Sequence, residues 1–219
     1  MEEQSKEPET IPGEKFGHLK RQYEPQREES GRVLRESGVD PATPEFRKAR
    51  AKVARKLLEK TFEGEIDSLT KILNRKGFER RLQEESSRAE RYGHRLTLLF
   101  LDLNEFKTIN DTKGHAEGDR LLQQFASILR EQSRASDVVA RWGGDEFVVL
   151  FPEINMDQGQ LVWERFSKIF SSRNLSVSAG LTEVDPDNVE DSLKKADQAM
   201  FEAKEVSKKL GKSHLKTAY

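Results

Sequence analysis

Acidic residues occur in this sequence at two places where a folded chain rarely leaves them without a partner. Asp102 follows the most apolar run of the chain, Leu96–Leu101, which is short enough to be a buried strand. Asp145 and Glu146 follow two glycines between two further apolar runs, a pattern typical of a hairpin with a tight turn. If a sheet brings Asp102 beside this hairpin, up to three negative charges meet there and resist ionisation unless a cation intervenes. Oxygen ligands and the absence of cysteine favour Mg²⁺ or Mn²⁺ over zinc.

A polar segment, Phe106–Asp119, directly follows the acidic strand end and is predicted to be a loop that finishes at a helix start. Lys107 in this segment can neutralise phosphate charge. Asn110 offers an amide, and Asp119 offers a carboxylate acceptor, so the pair suits the edge of a purine. Guanine, which presents N1–H and N2–H₂ donors, fits a carboxylate better than adenine does.

Each of these features also has an ordinary structural interpretation. Asp102 can cap a helix or form a salt bridge, and the glycine hairpin can be a simple tight turn. Asn110 and Asp119 can be turn and N-cap residues. The polar segment favours the ligand-binding interpretation because it follows the acidic strand end so closely.

The elements that must position these residues are predicted from the spacing of apolar residues. Helices are predicted at 75–92, 118–132, 157–171 and 190–207, and strands at 96–103, 138–141, 147–151 and 175–181. Strands and helices alternate around a hairpin. We therefore expect an α/β or α+β fold with a single sheet covered by helices.

The chain before this pattern is more polar. Residues 1–42 contain four prolines and no apolar periodicity, and we expect them to be mostly disordered or loosely helical. Thr43 and Pro44 predict the start of a charged helix over 43–66, with an apolar stripe at Phe46, Ala49, Val53 and Leu57. This helix is either packed on its own domain or a dimerising stalk. The compact domain is expected to span 67–219.

Composition excludes several classes of protein. The 219 residues include no cysteine, which excludes a disulfide scaffold, a thiolate zinc site and a cysteine nucleophile. The net charge of −1 lacks the basic excess of a protein that binds nucleic-acid polymers. The acidic amino terminus does not resemble a signal peptide, and no apolar run is long enough to span a membrane. We expect a cytoplasmic protein.

The string Arg-Trp-Gly-Gly-Asp-Glu-Phe at 141–147 resembles the signature of GGDEF-domain diguanylate cyclases. Further matches in the same order extend the resemblance over about residues 66–212: Asp67-Ser68-Leu69-Thr70, Asn74-Arg75, Asp102, Phe106-Lys107, Ile109-Asn110-Asp111, Gly114-His115, Gly118-Asp119, Ser178-Ala179-Gly180, Ala196-Asp197 and Phe201-Glu202-Ala203-Lys204. So many ordered matches are not expected by chance.

The resemblance implies that two molecules of GTP condense to cyclic di-GMP with release of two pyrophosphates. It also implies a central mixed sheet with flanking helices, similar to nucleotidyl cyclases and polymerase palms. One site holds one GTP, so the reaction would require a homodimer, at least transiently.

The resemblance also implies roles for individual residues. Asp102 and Asp145 would hold two divalent ions together with the backbone carbonyl of Leu103, and Glu146 would be a metal neighbour or proton acceptor. The substrate would be bound by a larger set: Asn110 and Asp119 at the guanine, His115 in the same segment, Lys107 and Lys204 at the phosphates, and Gly143 and Gly144 beneath the nucleotide.

Three departures from the family pattern stand out. Asn104 occupies the position where the family usually has a second acid, and Lys71-Ile72 replaces a Gly-Leu pair. Ser207-Lys208 replaces a Gly-Arg pair near the carboxyl end. Lys208 lies one turn after Lys204 and keeps the positive charge, but it loses the bidentate geometry of arginine.

Arg134 and Asp137 lie at the spacing before Gly143 where the family carries its product-binding inhibitory site. An arginine can bind a guanine edge bidentately. The alternative is an exposed ion pair of little energetic value.

Two rival functions remain open: a degenerate domain that acts as a cyclic di-GMP receptor or interaction module, and an enzyme of altered purine choice. Residues 1–65 contain no recognisable sensor domain. Regulation is therefore expected through a protein partner, the charged helix or the product.

Overall fold

The computed structural model describes residues 64–210 and 212–218 and, before them, residues 32, 43, 44, 46, 48, 49, 52 and 53. From residue 73 onward the elements follow one another in this order: β1 (Leu73–Asn74), α1 (Arg75–Tyr92), β2 (Leu96–Leu103), α2 (Phe106–Lys113), α3 (His115–Gln132), β3 (Val138–Gly143), β4 (Glu146–Pro152), α4 (Met156–Ser172), β5 (Val177–Glu183), α5 (Val189–Leu210) and β6 (His214–Ala218).

The strands form one six-stranded sheet in the order β1-β3-β4-β2-β5-β6. The outer pairs, β1 with β3 and β5 with β6, are parallel, whereas the inner pairs are antiparallel. The predicted single mixed sheet with flanking helices is therefore confirmed.

Strand β2 lies at the centre, and all eight of its residues are buried. Its side chains alternate between two apolar clusters, with Leu99 and Leu101 in one and Leu98 and Phe100 in the other. The first cluster includes residues of α3 and α4, and the second includes residues of α1 and α5. Because helices cover both faces of the sheet, β2 reads as a continuous apolar run rather than an alternating one.

Most predicted elements agree with the structure within a few residues, but the interpretation of 106–119 as a loop is wrong. Residues 106–113 form helix α2, and Gly114, at φ 84°, separates it from α3. No residue of α2 is fully buried, and Phe106 is only partly buried against the core, so the apolar stripe of this helix is too short to predict it. Asp119 consequently lies inside α3 and is not an N-cap. The short strands β1 and β6 were also not predicted.

The amino-terminal part is described at few positions. The backbone N–H of Phe46 donates a 3.1 Å hydrogen bond to the hydroxyl of Thr43, as the predicted helix start requires. Phe46 is buried, and Ala49 and Val53 are half-buried. Leu57 lies outside the described residues, as does the segment 1–42 apart from Arg32. The predicted domain limits stay predictions.

None of the helices described in the structure is both long enough and apolar enough to cross a membrane.

Candidate active site

The sheet brings the two acidic places together. Asp102, the penultimate residue of β2, is the cross-strand neighbour of Glu146 at the start of β4. The backbone N–H of Leu103 donates to the carbonyl oxygen of Asp145 at 3.2 Å. All three acids therefore lie at one end of the sheet, as the proposed cation site requires.

The hairpin that carries Asp145 has a two-residue turn. Gly143 and Glu146 are paired, and the register shifts between Arg141 and Gly143. Gly144 has φ 50°, in the left-handed region that favours glycine. A Cβ added at Gly143 or Gly144 would meet no atom within 4 Å, so this side of the hairpin is open to a ligand.

Asp102 is incompletely satisfied by the protein. The ammonium of Lys204 donates to its Oδ2 at 2.7 Å. Its Oδ1 is buried and has no hydrogen-bond partner among the residues that the structure describes. Burial raises the pKa of Asp102, and the charge of Asp145 raises it further, against the opposing effect of Lys204.

Glu146 shares this environment. Burial is again the main reason that its pKa is raised, and the charges of Asp102, Asp197 and Asp145 add to the effect. Lys204 opposes them. An excess of negative charge around buried and half-buried carboxylates is the electrostatic signature of a site for a cation.

The acids fit a divalent cation through that unpartnered oxygen of Asp102. A buried polar atom without a partner costs free energy, and a hard cation is a ligand that would satisfy it. No group of three or more acid, histidine or cysteine side chains is assembled for a metal within the described part of the chain. A metal here would therefore need backbone or substrate oxygens to complete its coordination.

The substrate-reading residues proposed for 106–119 lie on the α2–α3 pair. A Cβ at Gly118 would overlap the Oδ1 of Asn110, so the amide lies directly against the first turns of α3. Asp119 follows Gly118 and is exposed. Lys107 and His115 are also exposed, each in the first turn of its helix. The structure thus places Asn110 against the turn of α3 that carries Asp119.

The two lysines of α5 behave differently. Lys204 reaches Asp102 directly, whereas Lys208 is exposed and pairs with Glu205 at 2.6 Å. The charge of Lys208 still lowers the pKa of Asp102, although less than that of Lys204. Both lysines therefore act on the acidic end of the sheet.

Asn104, one of the three departures from the family pattern, connects three elements through hydrogen bonds. The hydroxyl of Ser178 donates to its Oδ1 at 2.7 Å, and its Nδ2 donates to the hydroxyl oxygen of Ser176 at 2.9 Å. Ser178 and Ser207 lie 3.0 Å apart. Since the single proton of Ser178 is given to Asn104, Ser207 must donate to Ser178. Asn104 thus links β2 to β5 and, through the serines, to α5.

Arg134 and Asp137 close the turn between α3 and β3. The buried carboxylate of Asp137 accepts the backbone N–H of Arg134 at 2.7 Å, while the Arg134 side chain is exposed. Burial raises the pKa of Asp137, although the backbone N–H and charge of Arg134 and the charge of Arg165 oppose this. Arg165, on α4, donates to the carbonyl of Gln132 at 2.8 Å. No local pattern identifies Arg165, because another helix supplies it.

Another contact that the sequence did not predict holds the turn between β3 and β4. The guanidinium of Arg141 donates twice to the carbonyl of Gly144, at 3.0 and 2.8 Å. It also binds the carboxylate of Asp67, with an N–O distance of 3.2 Å. Asp67 in turn accepts the backbone N–H and the hydroxyl of Thr70, at 2.8 and 2.6 Å. The segment before β1 therefore supports the hairpin.

A cleft of about 570 Å³ opens beside this support, lined by Asp67, Arg75, Arg141 and the two glycines among others. Neither Asp102 nor Lys107 lines it. The cleft therefore reaches the acidic end of the sheet only through Gly143 and Gly144, which belong to the hairpin that carries Asp145 and Glu146.

Comparisons with known proteins agree with the motifs. The family described as "Diguanylate cyclase, GGDEF domain" matches residues 65–209. Diguanylate cyclase DgcP of Pseudomonas aeruginosa is 37% identical over 152 residues, which are 65% of this chain and 23% of that protein. The chain spans between 15% and 35% of the length of the first curated relatives that it matches.

Two solved structures are similar over most of the chain. The coiled coil and GGDEF domain of DgcB from Caulobacter crescentus, in complex with c-di-GMP, has a TM-score of 0.67 and 28% identity. The match covers 78% of this chain and 95% of the DgcB chain. Diguanylate cyclase SiaD, in complex with its activator SiaC from Pseudomonas aeruginosa, has a TM-score of 0.68 and 28% identity. The match covers 94% of this chain and 78% of the SiaD chain. The chain belongs to the GGDEF-domain family of diguanylate cyclases, with the nucleotidyl-cyclase, palm-like fold.

Proposed function

We propose that this protein is an active diguanylate cyclase that condenses two GTP into cyclic di-GMP and releases two pyrophosphates. The observation that carries the proposal is the acidic end of the sheet, where Asp102 and Glu146 are neighbours and one oxygen of Asp102 is buried without a partner. The chain keeps the whole signature of residues 141–147 beside it.

Asp102, Asp145 and the backbone carbonyl of Leu103 would hold two divalent cations, Mg²⁺ or Mn²⁺. When bound, such ions neutralise the triphosphate and lower the pKa of the attacking 3′-hydroxyl. Glu146 stands beside them, and its raised pKa suits a group that accepts a proton during the reaction. The protein would contribute mainly positioning and charge neutralisation, as phosphoryl transfer requires.

The α2–α3 surface would read the base. Asn110 and Asp119 both have hydrogen-bonding groups there, and the carboxylate of Asp119 suits the N1–H and N2–H₂ donors of guanine. His115 lies in the same region. A carboxylate would face the acceptor edge of adenine unpaired, which argues against altered purine choice.

Lysines would bind the triphosphate. Lys107 lies in the first turn of α2, directly after the acidic strand, and Lys204 reaches that strand from α5. Lys208 would add charge one turn further along. The nucleotide would lie against the open side of Gly143 and Gly144.

The reaction needs two such domains facing each other, because each holds one GTP. We infer a homodimer as the active form, with the helix that begins after Thr43 as a candidate seam. The similar solved structure holds SiaD in complex with its activator SiaC, which supports a protein regulator for this chain as well. The cytoplasmic location stays a prediction.

The product would inhibit the enzyme at Arg134 and Asp137. The exposed guanidinium of Arg134 is available for a guanine edge, and Arg165 adds a second guanidinium near Asp137. Arg134→Ala is expected to leave initial rates intact and to abolish the slowing that accumulated cyclic di-GMP causes. Calorimetry with cyclic di-GMP tests this directly, and binding of equal strength by the variant would contradict it.

Incubation of the purified protein with GTP and Mg²⁺, followed by mass spectrometry of the nucleotides, tests the proposed function. Asp145→Ala should abolish synthesis while circular dichroism shows a folded domain. A folded wild-type protein that binds cyclic di-GMP but makes none would instead support the receptor interpretation.

Asp119→Ala tests the reading of the base. The loss of a charged hydrogen bond costs about 1.5–3 kcal/mol, so discrimination between GTP and ATP should fall by roughly tenfold to a hundredfold. Competition between the two nucleotides measures it. Unchanged competition would place the base-reading residue elsewhere.

A further inference from the structure

We propose, on the basis of the proposed function, that the ammonium of Lys204 takes the place of a divalent cation at Asp102 until a nucleotide binds. In the free protein this ammonium is paired with the carboxylate of Asp102. When a nucleotide binds, the ammonium moves to its phosphates. The site then takes up a divalent cation together with GTP and excludes the cation alone.

The contact between Lys204 and Asp102 has the asymmetry that such an exchange needs. The N–O distance is 2.7 Å, and the side chains are 31% and 3% exposed, respectively. The carboxylate is therefore buried inside the domain, whereas the lysine side chain that pairs with it is partly exposed to solvent. A lysine head group on a flexible four-carbon stem can turn outward and keep its hydration.

Helix α5 itself is held in place, so the exchange is a movement of one side chain. A Cβ at Gly180 of β5 would overlap the carbonyl oxygen of Ala196, which shows how closely helix and strand approach. Ala203, the neighbour of Lys204, is fully buried. One turn later, the hydroxyl of Ser207 is bonded to Ser178 of β5.

The charges favour joint rather than separate binding. A cation that arrives alone must either displace a hydrogen-bonded ammonium from Asp102 or bind the free Oδ1 beside that positive charge. A triphosphate offers the ammonium several anionic oxygens, so the ammonium can leave Asp102 without losing its ion pair. Because coupling between two ligands is reciprocal, the cation must in turn strengthen nucleotide binding.

Binding of Mn²⁺ without nucleotide tests the proposal, measured by electron paramagnetic resonance of the free ion at about pH 8, where carboxylates are ionised. Lys204→Met should bind Mn²⁺ about tenfold more tightly than wild type, or better, because the competing charge is gone. Lys204→Arg, which keeps the charge, should bind as weakly as wild type. Lys195→Met is the matched control, since Lys195 pairs with Asp191 at 3.2 Å on the same helix, away from the site. Equal Mn²⁺ affinity of Lys204→Met and wild type would overturn the proposal.

A measurement on the wild-type protein covers the case in which Lys204→Met does not fold. The ¹⁵N signal of the Lys204 ammonium, identified by its loss in Lys204→Arg, should stay in place with Mg²⁺ alone. It should shift when Mg²⁺ is added with 3′-deoxy-GTP, which binds without an attacking hydroxyl. A full shift with Mg²⁺ alone would overturn the proposal.

Neither measurement depends on turnover, so the two proposals fail separately. Tighter Mn²⁺ binding by Lys204→Met in a protein that makes no cyclic di-GMP contradicts only the proposed function. Active synthesis together with unchanged Mn²⁺ affinity contradicts only the role of Lys204.

Discussion

Asp67 and Asp102 are both acids at the edge of the core, and both bind a basic side chain, but the protein satisfies them very differently. Asp67 accepts two hydrogen bonds from Thr70 and binds Arg141. These contacts outweigh the effect of burial, which acts to raise its pKa, so the pKa of Asp67 is lowered. Asp102 has Lys204 on one oxygen and nothing on the other, and its pKa is raised, chiefly by burial.

The difference separates an acid that supports the fold from one that is available to a ligand. The contacts of Asp67 are all internal, and they hold the segment before β1 against Arg141 and the turn between β3 and β4. Asp102 retains a buried oxygen that no group in the described part of the chain satisfies. Incompletely satisfied polar groups of this kind are typical of functional sites.

Replacement of Asp102 should have the largest effect, and on activity alone. Asp102→Asn is expected to reduce cyclic di-GMP synthesis by about a thousandfold or more, because a ligand charge is lost. The free energy of unfolding should change by less than about 1 kcal/mol, since a buried charge is removed and the partly exposed Lys204 regains water. Rates and urea denaturation measure the two. Near-normal synthesis by the variant would contradict the assignment.

Replacement of Asp67, unlike that of Asp102, should clearly lower the stability of the fold. Asp67→Ala is expected to lower the free energy of unfolding by about 2–3 kcal/mol, because the N–H and hydroxyl of Thr70 and the guanidinium of Arg141 lose their acceptor. Asp191→Ala is a control, since its bridge to Lys195 is exposed and should be worth less than about 1 kcal/mol. Urea denaturation of both variants gives the comparison, and equal losses would show that Asp67 is not a structural acid.

Asn104 sharpens the comparison because it is a well-satisfied neighbour of Asp102. Asn104→Leu is expected to lower the free energy of unfolding by about 1–2 kcal/mol, since the hydroxyls of Ser176 and Ser178 lose a partner. Asn104→Asp keeps the acceptor for Ser178 and replaces the donor to Ser176 by a second acceptor, to which the Ser176 hydroxyl can donate instead. This variant should retain synthesis within about threefold of wild type. If Asn104→Asp instead loses activity as severely as Asp102→Asn, the neutral side chain itself is required.

The smallest predicted effect is a loss of folding stability at low pH. The pKa of Asp67 lies below its ordinary value of 3.8, so its contribution is fully present above that pH and is lost as the pH falls through the lowered value. The effect of Asp102 on stability has the opposite sign. Because its pKa is raised in the folded domain, stability is lost as the pH rises from the ordinary value of 3.8 through the raised value. Wild type should therefore lose more stability than Asp67→Asn below about pH 4, and thermal unfolding across a pH series measures this. Parallel curves would show that Asp67 titrates normally.

Much of the fold could be predicted from the sequence because the core obeys simple periods. The apolar run of β2 and the apolar faces of α1, α3 and α5 each predict their element. Helix α2 could not be predicted, since none of its residues is fully buried, and β1 has only two residues. The role of these elements depends on what they pack against.

The sequence by itself determined which chemical groups are present: the acids of the strand end and hairpin, the two glycines of the turn, the amide and carboxylate of 106–119, and the lysines near the carboxyl end. Only the tertiary structure decided which of these groups satisfy one another. Lys204 and Asp102 are 102 residues apart, and Arg141 and Asp67 are 74 apart. No local pattern distinguishes the satisfied acid from the unsatisfied one. That distinction is a property of the number of donors that surrounding strands and helices place within hydrogen-bonding distance of each carboxylate.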